Sequence, residues 1–227
     1  MKSQKITNSP PRWYDDACGT ALGLELLGER WAMLVVRELM FGPRRFSELR
    51  AGLPGISANV LTQRLDGLAR AGVLVRHDAP SRCYELTPWG YEAEETIQAL
   101  GRWAARSPDH DPALPLSAAS MMLSLRTMLD RGRAVGLSLT IGFRFPRDSF
   151  VARLADGALP VVRASAAGDA VFATTPEVMA AVIYAKRPIA EAEAAGDLAF
   201  AGNRAAAAAF IDLFHLPAKA VSPIAAG

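Results

Sequence analysis

Asn59, Thr62, Gln63 and Arg64 fall within six consecutive residues. Amide and hydroxyl groups of this kind donate and accept hydrogen bonds side by side, and a guanidinium can grip two acceptors at once. That is the chemistry that reads base edges and holds phosphates. Arg44 and Arg45 precede the cluster in sequence, and Arg76 and Arg82 follow it. Between Arg30 and Arg82 there are nine arginines and four acids, a local charge of +5 in a chain whose formal net charge is only +2. Every basic residue in that span is arginine, which favours forked contacts to phosphate or guanine.

These groups need a helix to present them, and the spacing predicts one over 58–71. Leu61, Leu65 and Leu68 fall at i, i+4 and i+7, so they share one face. Asn59, Thr62, Gln63, Asp66 and Arg70 project to the other. Ser57 is placed to cap the first turn, and Gly72 suits the left-handed position after the last. The candidate contact set on this segment is Ser57, Asn59, Val60, Thr62, Gln63 and Arg64. Taken alone, the pattern also fits an ordinary amphipathic surface helix. The next residues favour the first reading. Val73–Val75 reads as a strand, 77–81 as a polar turn, and Cys83–Thr87 as a returning strand. A helix followed by a short hairpin flanked by Arg76 and Arg82 is a winged helix, with the arginines where a phosphate backbone would pass.

At these residues the chain resembles the HxlR-type winged-helix regulators, which are related in fold to the MarR group. The resemblance is carried by Gly28-Glu29-Arg30-Trp31, Arg37-Glu38-Leu39, Gly42-Pro43-Arg44-Arg45-Phe46-Ser47-Glu48-Leu49, Leu53-Pro54-Gly55-Ile56-Ser57, Leu61-Thr62-Gln63-Arg64-Leu65 and Tyr84-Glu85-Leu86-Thr87-Pro88-Trp89-Gly90. It spans about residues 15 to 106. It implies a homodimer that binds double-stranded DNA, with the recognition helix at 58–71. Two departures stand out: the wing is short, and Cys83 occupies a position that is usually aliphatic in the family.

Around this core, helices are expected over 17–27 and 31–40, with Ser47 capping a short helix to Gly52. Another is expected over 88–105, opened by Thr87-Pro88. The apolar stripes of 17–27 and 88–105 are the candidate dimer seam. Three prolines between Ser107 and Pro115 then mark a linker. The expected division is a winged-helix domain over 1–106, a linker over 107–116 and a second domain over 117–227. The fold class is α+β.

The second domain opens with a helix over 118–130. Leu137, Leu139, Ile141, Phe143 and Phe145 alternate with Ser138, Thr140, Gly142 and Arg144, the pattern of a half-buried nine-residue strand. Strands at 150–155, 159–164 and 170–174 follow. Next come a helix from Thr175-Pro176 that ends before Pro188, a short helix at 189–195, an edge strand at 198–201 and a last helix capped by Asn203. This order resembles a sterol carrier protein-type domain, a curved mixed sheet with helices on one face and an apolar cavity between. The resemblance rests on the turn at Asp156-Gly157, on Thr174-Thr175-Pro176-Glu177 and on Gly196 to Asn203. It implies a site for an apolar effector. The candidate lining is Leu139, Ile141, Phe143, Phe145, Phe150, Phe172, Val178, Met179, Val182, Phe210 and Phe214. The same apolar stripes are equally what a filled core requires.

Nothing in the sequence suggests catalysis. His77, His110 and His215 are scattered, and no zinc spacing, phosphate loop or nucleophile elbow occurs. No enzyme activity, metal or cofactor is expected. There is no run of 18 apolar residues, and Met1–Asp16 lacks the apolar centre of a signal peptide. The two cysteines, Cys18 and Cys83, make no disulfide framework, so a cytoplasmic protein with no membrane partner is expected. Cys18 precedes the first helix, where members of the family often carry a cysteine and some use it to sense oxidants. A helix N-terminus favours its thiolate, whereas the neighbouring Asp15 and Asp16 oppose it. The expectation is therefore a dimeric DNA-binding regulator with an apolar-effector domain. The alternative is a hydrophobic-ligand carrier whose winged helix serves only dimerisation or partner binding.

Overall fold

Leu61, Leu65 and Leu68 are buried on one edge of α4 (Ala58–Arg70), as their spacing requires. They meet Val35, Val36 and Leu39 of α2 (Ala32–Leu39) and Leu49 of α3 (Phe46–Gly52) in a shared core. α1 (Gly19–Leu27) packs on both α2 and α4. The computed structural model describes residues 14–221, so most of the segment read as lacking a signal peptide lies outside the described residues.

α3 begins one residue before the expected cap. The Glu48 carboxylate accepts the Arg45 backbone N–H at 2.7 Å, leaving Ser47 inside the helix. After α4, β1 (Leu74–His77) and β2 (Cys83–Leu86) pair antiparallel, with Leu74 opposite Leu86 and His77 opposite Cys83. The Thr87 hydroxyl accepts the Gly90 N–H at 3.0 Å and so caps α5 (Pro88–Ala104). Only glycine fits at 90, because a Cβ there would lie 2.0 Å from the Val73 carbonyl oxygen. This close approach sets α5 against the base of the wing.

Residues 107–116 hold no helix or strand. Beyond them come α6 (Ala118–Met128) and α7 (Arg131–Ala134), a one-turn helix that the sequence pattern gave no sign of. The rest of the order is β3 (Leu139–Arg144), β4 (Ser149–Leu154), β5 (Val161–Arg163), β6 (Ala170–Thr174), α8 (Pro176–Tyr184), α9 (Ile189–Ala194), β7 (Leu198–Gly202) and α10 (Arg204–Ile211). The sheet runs β5-β4-β3-β6-β7. It is mixed, with β3 and β6 parallel and every other neighbour antiparallel. β3 is six residues rather than nine. The Leu137 N–H turns back to the Ala134 carbonyl, and the Phe145 N–H bonds the Asp148 carbonyl in the hairpin, so the side-chain alternation outruns the ladder.

α10 packs on β3 and β6, and α8 on α6. α6 in turn packs on α2 and α5 of the first half. The buried side chains of both halves thus form one continuous cluster.

Candidate nucleic-acid interface

Ser57 caps α4, its hydroxyl accepting the Val60 N–H at 3.2 Å. The cap fixes the start of the helix and therefore which residues face outward in the first two turns. Asn59, Thr62 and Gln63 are exposed there, as are Asp66 and Arg70 further along. Val60 is half-buried and packs on the core, so it supports the edge rather than lying on it. Gly72, at φ +76°, ends the helix as expected.

Arg64 is not a free contact group. Its Nε donates to the Arg30 carbonyl at 3.0 Å and its Nη1 pairs with the Glu29 carboxylate. It ties α4 to the turn before α2. The expectation that it reads bases is corrected on this point, because i+3 and i+4 neighbours alone do not disclose a partner 35 positions away.

Arg44 requires the larger correction. Expected on phosphate, it is buried. Its Nη1 and Nη2 donate to Asp148 at 2.9 and 2.7 Å. Its backbone pairs with Tyr84 of β2 in both directions, at 2.9 and 2.8 Å. Arg163 shares the same aspartate through Nε at 3.0 Å and donates to the Phe41 carbonyl at 2.9 Å. Burial and the neighbouring Arg44 push the Arg163 pKa down, while Asp148 opposes them. Two guanidiniums therefore stand around one carboxylate, and Arg44 Nε and Arg163 Nη2 remain buried without partners. Sequence reasoning found neither Asp148 nor Arg163, which lie over a hundred positions from Arg44 and in no motif.

The remaining cations do lie outside. Arg45 is exposed at the start of α3 and Arg82 in the wing turn, and neither forms an ion pair among the described residues. Arg50, on the last turn of α3, is likewise exposed and was missed because it belongs to no periodic face. Arg76 is exposed but carries Asp78 at 3.1 Å. His77 and Glu85 bond across the hairpin at 2.8 Å, which steadies the wing beside Cys83.

Cys18 is exposed at the N-terminal end of α1. The Thr20 N–H, the Thr20 hydroxyl and the Ala21 N–H hold its thiol below the usual value. The Asp16 carboxylate is engaged with the Cys18 backbone N–H at 2.8 Å.

The expected effector cavity in the second half is filled. Phe143 lies 5.9 Å from Phe172 and 6.1 Å from Phe210, and Phe210 lies 4.8 Å from Phe214, centroid to centroid. Ile141, Phe145, Phe150, Met179 and Val182 are buried among them, and Leu139 and Val178 pack on the same cluster. These positions form a core, not a pocket. Rings of this size close the space between sheet and helices, which alternation alone cannot distinguish from lining a void. Among the described residues no helix is long and apolar enough to cross a membrane, and no group of three metal-ligating side chains occurs.

Residues 26–112 match the family model described as HxlR-like helix-turn-helix. The chain is 36% identical over 85 residues to the uncharacterized HTH-type transcriptional regulator YvaP of Bacillus subtilis, covering 36% of this chain and 79% of that protein. It is 35% identical over 83 residues to the HTH-type transcriptional regulator YodB of the same organism, covering 35% of this chain and 74% of that one. A crystal structure of quinone-bound YodB shares 33% identity and covers 37% of this chain and 93% of that chain, with a TM-score of 0.35. The family match stops at residue 112, ahead of α6 and the five-stranded sheet.

Proposed function

The chain belongs to the HxlR-like helix-turn-helix family, and from that premise we propose that it is a dimeric transcriptional regulator reading double-stranded DNA through α4. One observation carries this reading. A capped helix anchored by Leu61, Leu65 and Leu68 turns Asn59, Thr62 and Gln63 outward, next to a wing bearing the exposed Arg82. Asn59, Thr62 and Gln63 take the base edges, while Arg45, Arg82 and Arg76 hold phosphates. A single recognition helix covers too few bases for useful discrimination, so two copies read a near-palindromic site. Leu22 and Leu24 of α1 and Trp103 of α5 are all exposed, Trp103 by 72%. Such a surface supports a seam between copies.

The test is a gel shift with DNA flanking the protein's own gene, repeated at two salt concentrations. Specific retardation that weakens as salt rises supports the reading. Equal affinity for unrelated DNA overturns it.

The carrier alternative loses its main support, since the interior it would use is packed with side chains. The sterol carrier-type likeness of the second half is proposed for its mixed sheet and helical cover only, without the internal cavity. Cys18 is proposed as the point where an oxidant or electrophile acts on the protein, a reading supported by its exposure and lowered pKa.

A further inference from the structure

Between the two halves of the chain lies an open cleft of about 370 Å³. Its walls are α2, α5, α6 and the end of α8, with residues from 110–116 and Leu216 at one side. The lining is mostly aliphatic, led by Leu34, Leu100, Leu123 and Met128. Its polar groups are the hydroxyls of Ser120, Ser124, Thr127 and Tyr184, the His110 imidazole and the Arg37 guanidinium. Ser124 and Tyr184 share a hydroxyl–hydroxyl bond of 2.6 Å at the α6–α8 side. Arg37 is the one permanently charged residue of the lining, and no carboxylate belongs to it. The volume falls in the range of about 300–1,000 Å³ that small-molecule sites occupy, and a mostly apolar wall with a few converging polar groups is their usual make-up.

Arg37 is only partly engaged. Its Nε and Nη2 donate to Glu38 Oε1 at 3.1 and 2.9 Å, while Nη1 makes no hydrogen bond among the described residues. The buried Glu38 Oε1 also accepts the Ser117 hydroxyl at 2.6 Å, and that hydroxyl in turn caps α6 by accepting the Ser120 N–H at 3.0 Å. The guanidinium at the cleft is therefore one contact from the carboxylate that joins α2 to the start of α6.

We propose that this cleft is an effector site for an apolar monocarboxylic acid, its chain along Leu34, Leu100, Leu123 and Met128 and its carboxylate on Arg37. The charge pattern selects this class. A neutral molecule would leave Arg37 Nη1 without a partner, and a cation would meet a guanidinium and no carboxylate in the lining. The site bridges the core helix of the winged helix, the proposed dimer helix and the second half, so an occupant touches α2, α5, α6 and α8 together. A ligand carboxylate competes with Glu38 for Arg37, so occupancy favours one geometry of the α2–α6 joint over another. Such a difference between states is what shifts a conformational equilibrium. The regulatory consequence rests on the DNA-binding reading above, whereas the binding site itself does not.

The full-length protein is titrated calorimetrically with decanoate and with decan-1-ol, below the concentrations at which either self-associates. Decanoate should bind at one site per chain and the alcohol roughly tenfold more weakly, since only the acid makes the charge-assisted bond. Arg37→Gln should reduce the acid to the level of the alcohol. Because that change also releases Glu38, Gly101→Leu gives an independent arm. Gly101 sits on α5 facing the cleft, where an added Cβ would stand 4.0 Å from the Thr127 methyl, and leucine favours helix over glycine. This variant should stay folded, keep its size by light scattering and its gel shift without ligand, and lose decanoate affinity roughly tenfold or more. Equal binding of acid and alcohol, undiminished binding in Gly101→Leu, or no binding to the unmodified protein overturns the proposal. If Gly101→Leu instead breaks the dimer, the cleft seats a second copy and the proposal also fails. A negative gel shift of the unmodified protein without ligand counts against the DNA reading alone.

Discussion

Arg44 and Asp148 face each other in a two-pronged ion pair, Nη1 to Oδ1 at 2.9 Å and Nη2 to Oδ2 at 2.7 Å, with both side chains about nine-tenths buried. The pair spans the winged helix and the β3–β4 hairpin. Removing the acid leaves the buried Arg44 with only Glu48 at 3.7 Å and the half-buried Arg163 with only the Phe41 carbonyl, so Asp148→Ala should cost roughly 3 kcal/mol of unfolding free energy, read by urea denaturation. Arg163→Met should cost distinctly less, because Asp148 keeps Arg44. Equal losses for the two would mean that the carboxylate is not the centre of the cluster.

On DNA, Gln63→Ala and Arg82→Ala should separate. The first should lose about 1–3 kcal/mol on the preferred site and little on other sequences. The second should weaken all sequences alike and flatten the salt dependence by about one unit of log–log slope. Arg44→Ala, in contrast, should lower stability and leave the slope unchanged. A lower slope in that variant would put Arg44 back on phosphate.

Replacing Leu24 and Trp103 with aspartate together should yield a monomer by light scattering at micromolar concentration, with circular dichroism unchanged, since both side chains are already in water in the single chain. Specific retardation of DNA should fall with the dimer. A variant that remains a dimer moves the seam elsewhere.

The Cys18 thiol lies below its usual pKa because the Thr20 N–H and hydroxyl and the Ala21 N–H favour the thiolate. The sign is fixed: thiolate persists to lower pH than in an ordinary cysteine. Alkylation by iodoacetamide, with Cys18→Ser as the blank for Cys83, should therefore rise with pH through a midpoint below that of free cysteine. Thr20→Ala should move the midpoint upward. A midpoint at the free-cysteine value would remove the basis for selective reactivity.

The winged helix was legible because its signals are local. Ser57, the three leucines of α4, Gly72 and Thr87-Pro88 each act within one or two turns, and their spacing states their geometry. The strands of the second half were legible for the same reason, with β6 matching its expected bounds. What the sequence concealed were relations between distant residues. Nothing in Arg44 announces Asp148, and nothing in Arg64 announces Glu29, so an arginine destined for a partner reads like one destined for solvent. The alternating phenylalanines revealed burial but not whether the opposite wall lay in contact, and Phe210 and Phe214 stand close enough to close the space.

Arg44 has its backbone in the wing and its side chain in the second half. This bears on how the protein can be taken apart or recombined. A graft of the C-terminal half onto another winged helix would bring Asp148 and Arg163 to a surface lacking their arginine and the Phe41 carbonyl. A truncation after the family-length segment would leave Arg44 charged and uncovered beneath the wing. Any chimera built from these two pieces should therefore carry positions 41, 44, 148 and 163 as a single cassette, with the crossover point chosen around them rather than within residues 107–116.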